Sequence, residues 1–183
     1  MKKKGRKLQT KFLPKTNRTA IILNTILFAS ILLNLVNLGL FEKTLIRIEI
    51  IGLCYLVGWF VFIFVQRKLK EISPWDNFSN FFFCFLVVGS CLTFLILGTN
   101  YYFAEKQSVV RNYRILAKRE ISGPKYDRSN TSPSVNIAMT KNYSKRIDFK
   151  REFRSAMYEA DSVVLTLSRG FLNFDIIRDK GLK

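Results

Sequence analysis

With no histidine anywhere in its 183 residues, this chain lacks the side chain that most often acts as general base or transition-metal ligand. Four carboxylates near the C-terminus, Glu159, Asp161, Asp175 and Asp179, could meet across a hairpin and hold a hard cation through oxygen. Ordinary solvated surface charge is the simpler and preferred account of them. Serine and lysine are abundant between 122 and 150, yet no spacing singles out a Ser/Lys dyad. No GxGxxG, Walker-type loop or CxxC pair occurs. Cys54, Cys84 and Cys91 all sit inside apolar runs, where a thiol behaves as a small hydrophobe. The expectation is a non-enzymatic chain with no cofactor and no metal site.

The other chemically conspicuous residues are polar groups embedded in apolar sequence. The stretch Phe81 to Leu97, FFFCFLVVGSCLTFLIL, carries no charge and no proline. Two more runs precede it, giving expected membrane spans at about 19–40, 48–65 and 81–98. Twenty-two residues rise about 33 Å as a helix, against a hydrocarbon core of about 30 Å. Within the first span, Ser30, Asn34 and Asn37 fall within about 60° of one another at helical spacing. An amide facing lipid tails leaves donors unpaired, so this stripe is expected to face another helix. Cys54 with Gly58, and Gly89 with Thr93, offer small faces for close helix approach. Glu49, one turn inside the second span, reads as an interfacial, solvated carboxylate or else as an intramembrane acid with a partner.

The connections set the expected topology. Phe41 to Arg47 is short and implies a tight hairpin of the first two spans. Gln66 to Asn80 carries Arg67, Lys68 and Lys70 beside the second span, with Pro74 barring a continuous helix. Residues 1–18 hold eight basic residues and no acid, including Lys2, Lys3, Lys4, Arg6 and Lys7. The positive-inside rule puts this tail and the 66–80 link in the cytoplasm, with anionic headgroups as their contacts. Three spans then carry the C-terminal part across the membrane. A bacterial inner membrane suits this pattern. The net charge of +17 also fits nucleic acid, but the apolar middle argues for a membrane surface instead.

Residues 101–183 read as an extracytoplasmic, strand-rich domain of α+β or barrel-like kind. Tyr101, Tyr102 and Phe103 form an aromatic collar. Alternation predicts a strand around Tyr113, Ile115 and Ala117, a hairpin over 134–149, and a second hairpin from Ser162 to Asp179. Residues 122–134 read as a long loop. Phe153, Ala156, Met157 and Ala160 predict an amphipathic helix of about three turns. Gly170 is expected to supply the hairpin turn through a positive φ. Basic residues including Arg111, Arg114, Lys118, Lys145, Arg146 and Arg154 are expected at the surface, facing headgroups or an acidic partner. Asn130-Thr131-Ser132 and Asn142-Tyr143-Ser144 match the glycosylation sequon.

Together these features predict an accessory or scaffold subunit of a larger membrane complex, partnered by other membrane proteins and the bilayer. A small homo-oligomeric channel or transport component, lined by Asn34, Asn37 and Glu49, is one alternative. A protective, immunity-type membrane protein is another.

Overall fold

The computed structural model describes residues 18–122, 131–140 and 143–183. The basic tail to residue 17, the central part of the 122–134 loop and the 141–142 turn, with both sequon asparagines, lie outside the described residues. Three long apolar helices come first: α1 (Arg18–Lys43), α2 (Ile48–Ile72) and α3 (Asn77–Tyr102). By length and composition each could cross a membrane. They outrun the apolar windows, leaving connections of four residues at 44–47 and 73–76. Ser73 caps α2 by donating its N–H to Leu69 O at 2.8 Å, with Pro74 following. Asp76 caps α3, its carboxylate accepting from the Ser79 N–H at 3.2 Å.

The three helices do not form the expected hairpin of α1 on α2. Helix α3 lies between them and packs against both, while α1 and α2 barely meet among the described residues. Small residues set this arrangement. A Cβ on Gly58 would stand 2.9 Å from the α3 backbone at Cys84 and Phe85, and a Cβ on Gly89 would overlap the Tyr55 ring. Close approach to α3 is therefore available to α2 only where side chains are absent.

The C-terminal part is a five-stranded antiparallel sheet: β1 (Ser108–Ile121), β2 (Ser132–Thr140), β3 (Tyr143–Asp148), β4 (Ser162–Arg169) and β5 (Asp175–Leu182), in the order β3-β2-β1-β4-β5. The long strand β1 serves two neighbours. Residues 108–114 pair with β4, and residues 115–121 pair with β2. A bulge between Ile115 and Ala117 falls at the start of the β2-paired half, where an extra residue bends a strand locally. Val135, Ile137, Ile147, Val163, Leu165 and Leu167 of the strands join Phe149, just past β3, and Met157, from the segment between β3 and β4, in one apolar core.

Two local expectations are corrected. The amphipathic helix is a single 3₁₀ turn (Arg151–Phe153) followed by the six-residue α4 (Arg154–Glu159). Only Met157 and Ala160 of its predicted face are buried; Phe153 and Ala156 are exposed, because the segment merely caps one end of the sheet. The β4–β5 turn takes its positive φ at Asn173 (63°), and no described glycine has one. Asparagine tolerates the left-handed region better than other non-glycine residues. Gly170 has a different reason to be glycine, given below.

Candidate functional site at the helix–sheet junction

The sheet is fastened to the helices at three points. The first is Asn100, fully buried on the last turn of α3. Its Nδ2 donates to Phe174 O at 2.9 Å, and its Oδ1 accepts from the Leu172 N–H at 3.0 Å. Its own carbonyl accepts from the Phe171 N–H at 3.3 Å. One residue thus satisfies three backbone groups of the β4–β5 turn. Gly170 makes room for it: a Cβ there would lie 2.3 Å from the Asn100 carboxamide.

The second fastening is the α1–α2 link. Thr44 forms a β-bridge to Ile176, and the Leu45 N–H donates to Asp175 O at 2.7 Å, so the link covers part of the β5 edge. Leu45 packs against the sheet core, while Ile46 is buried in a second cluster with Leu40 and Leu97 of the helix ends. Neighbouring residues of one short link therefore belong to two different cores. Full burial of Ile46 contributes about 1.5–3 kcal/mol, and the half-buried Leu45 less.

The third fastening is Lys145, placed on the exposed surface by sequence reasoning and in fact buried. From β3 it donates to Phe41 O at 2.9 Å and to Thr44 O, closing the C-terminal end of α1. Its ammonium stands 4.9 Å from the centroid of the Phe41 ring. A cation here matches the partial negative charge of a helix C-terminus. Burial pushes its pKa down to about 8, with the nearby Glu42 pulling the other way. Beside it the Tyr143 hydroxyl donates to Ile46 O at 2.9 Å, and burial raises its pKa, assisted by Glu49. The period-two pattern held a signal for Lys145, which shares a strand face with Ile147 and Phe149.

Within the helices, the polar stripe meets α3 and α2. Asn34 Nδ2 donates to Ser90 Oγ at 2.8 Å, and Asn34 Oδ1 accepts from the Tyr55 hydroxyl. Asn37 Nδ2 donates to Ser90 O at 2.9 Å. Ser30 is buried and donates to Leu27 O of its own helix. Asn34 therefore touches both other helices. Ser90 and Tyr55 were missed by sequence reasoning, although a tyrosine in the middle of an apolar run needs a partner for its hydroxyl. Cys54 and Thr93 are buried. Glu49 is exposed at the domain-facing end of α2, and Arg67, Lys68 and Lys70 are exposed at its other end. Lys2, Lys3, Lys4, Arg6 and Lys7 lie outside the described residues.

Because α1 and α2 stand apart, a crevice opens between them. A cavity of about 270 Å³ is lined by Asn34, Asn37, Leu38, Phe41, Ile48, Ile51, Tyr55 and Thr93. A second, of about 420 Å³, adjoins it under the sheet and shares Leu38, Phe41 and Ile48; it adds Glu42, Glu49, Tyr143, Ser144, Lys145, Arg146 and Asp148. Asn37 Oδ1 and Thr93 Oγ1 are buried with no hydrogen-bond partner among the described residues.

The C-terminal carboxylates are dispersed. Asp175 pairs with Arg111 at 3.6 Å, and Asp179 accepts from the Lys180 N–H at 2.9 Å. Among the described residues, no three of His, Cys, Asp and Glu gather as a metal site would require. The densest charged group is one sequence reasoning did not mark. Glu120 accepts from Arg154 Nε and Nη2 at 2.8 and 2.6 Å, from Tyr158 at 2.6 Å and from Thr131 at 2.6 Å. These bonds, with Arg154 first, hold its carboxyl down at about 2. They tie α4 to the end of β1, a structural role. Comparison of the chain with protein-family models, with characterised proteins and with solved structures finds no match, so any functional reading rests on this geometry.

Proposed function

We propose that this chain is an integral membrane protein without enzymatic activity, serving as an accessory or scaffold subunit that holds a small sheet domain at a fixed height over a bilayer. Its N-terminus lies in the cytoplasm and its sheet outside, in a plasma membrane of bacterial inner-membrane type. The observation that carries this reading is the three-point fastening through Asn100, the 44–47 link and Lys145. A domain held at three points cannot swing freely, which suits presentation of a surface in register with neighbouring spans. The outward faces of the helices favour lipid, since Phe28, Leu35 and Phe64 are 63%, 65% and 82% exposed. Tyr102, Phe103 and Phe171 lie exposed near the junction, as residues of a membrane–water interface would. On the sheet, the 108–114 half of β1 pairs, among the described residues, with β4 alone and carries exposed Val109 and Val110, an available edge for a partner.

Asn34 commits both ends of its carboxamide to other helices, which favours a packing role over the lining of a conduit. The test is crosslinking in the native membrane, followed by gentle solubilisation and identification of bound proteins. A defined set of membrane partners, reduced by Val109→Lys, is expected. A lone monomer that captures nothing would overturn the subunit reading, and solute flux through vesicles that falls on Asn34→Leu would favour a transport role.

A further inference from the structure

The crevice between α1 and α2 has an apolar lower half and a charged upper half, meeting at Leu38, Phe41 and Ile48. A membrane-immersed helix set would open this crevice sideways to lipid tails. The two cavities together are of the size that commonly holds a small ligand, about 300–1,000 Å³. Two buried polar atoms at this level, Asn37 Oδ1 and Thr93 Oγ1 on lining residues, have no partner among the described residues, and the Thr93 hydroxyl is thereby a buried donor without an acceptor, which costs free energy until one arrives. The upper half carries three acids, Glu42, Glu49 and Asp148, against Lys145 and Arg146. Lys145 directs its ammonium to two backbone carbonyls, and Arg146 lies 3.1 Å from Asp148. Three acids against two bases leave one net negative charge on this lining, facing an incoming headgroup.

We propose that this crevice binds one phospholipid whose headgroup carries an ammonium, with an acyl chain between α1 and α2 and the ammonium between Glu42 and Glu49. The phosphate lies toward Arg146, and the glycerol-ester region reaches the level of Thr93, whose hydroxyl can donate to an ester carbonyl. Such a lipid fills the gap that α3 leaves by holding α1 and α2 apart. It also braces the link on which the sheet is seated. This inference rests on the membrane reading above.

The test uses the full chain, reconstituted in phosphatidylglycerol vesicles doped with phosphatidylethanolamine bearing a photoreactive group in its acyl chain. After irradiation and digestion, adducts are mapped by mass spectrometry. Adducts should concentrate severalfold on Leu38, Ile48, Ile51 and Tyr55 relative to Phe28 and Phe64 on the outer faces. Unlabelled phosphatidylethanolamine should compete, and added phosphatidylglycerol should not. Leu38→Trp with Ile48→Trp should abolish the concentration by filling the crevice. The milder pair Glu42→Gln with Glu49→Gln, at exposed positions, should retain crevice adducts but lose the headgroup preference. Adducts spread evenly over all outward helix faces would overturn the site while leaving membrane immersion intact. Adducts on no helix would overturn both. Equal competition by the two lipids would overturn the ammonium assignment.

Discussion

The helices and the sheet are packed inside out with respect to each other. In the sheet domain the buried side chains are Val135, Ile137, Leu165 and their neighbours, and most charge faces outward. In the helices the interior holds Ser30, Asn37, Cys54, Gly58, Asn80, Gly89, Ser90 and Thr93 beside Leu23, Leu40, Leu69 and Leu97, while Ile22, Phe28, Leu35 and Phe64 face out. Water drives apolar side chains together. Lipid tails give no such drive, so helices in lipid are joined by small residues, close backbone contact and polar side chains. The two patterns are those expected of one chain in two solvents, and the contrast adds to hydropathy as support for the proposed membrane reading.

The contrast is sharpest in paired leucine substitutions. Leu165→Ala should destabilise the sheet by about 2–5 kcal/mol through the cavity it leaves. Leu35→Ala, on an outward face, should change unfolding in detergent by less than about 0.5 kcal/mol. Chemical or thermal unfolding of the two variants measures the difference, and equal losses would erase the proposed distinction of solvents.

Lys145 is next, and its effect depends on pH. The folded chain releases this proton near pH 8, whereas the unfolded chain keeps it to about 10.5. The unfolded state therefore binds more protons in that window, and stability rises with pH from 8 to 10.5, by at most about 3 kcal/mol, with no change below it. Lys145→Met should remove this rise. Parallel denaturant titrations at pH 7, 9 and 10.5 compare the two proteins; identical slopes would contradict the buried position of Lys145.

At the junction, Asn100→Ala strands the Leu172 N–H, about 1–3 kcal/mol for a buried group left unpaired, and leaves the Phe174 carbonyl with only the Gly170 N–H at 3.2 Å. The expected result is protease cleavage at the 170–174 turn under conditions where the parent chain resists. Gly170→Val should act in the same direction by displacing Asn100. Asn34→Leu should cost less, about 1–2 kcal/mol, and loosen α1 from both α2 and α3. Crosslinking between cysteines introduced on α1 and α3 would report that loosening as a lower yield.

Much of this architecture is legible in the sequence because apolar run length and period-two alternation are local signals. The three helices and both hairpins follow from them. The junction does not, because it joins residues far apart in the chain. Asn100 meets Leu172 and Phe174, Leu45 enters a core built mostly from residues beyond 110, and Lys145 reaches back to Phe41. Gly170 illustrates the gap well. Its presence in a turn suggested a positive φ, whereas the constraint is a carboxamide arriving from seventy residues away. The crevice is equally invisible in sequence, since it arises from the position of α3 between two helices that follow each other in the chain.

Cysteine labelling tests the central claim most directly, because Cys91 is exposed on α3 and lies well inside its apolar run. In sealed cells, a membrane-impermeant maleimide should modify a Lys183→Cys variant from outside. It should leave Cys91 unmodified from either face of intact membranes until detergent is added. Ready labelling of Cys91 in intact membranes, or labelling of position 183 only from the cytoplasmic face, would contradict it.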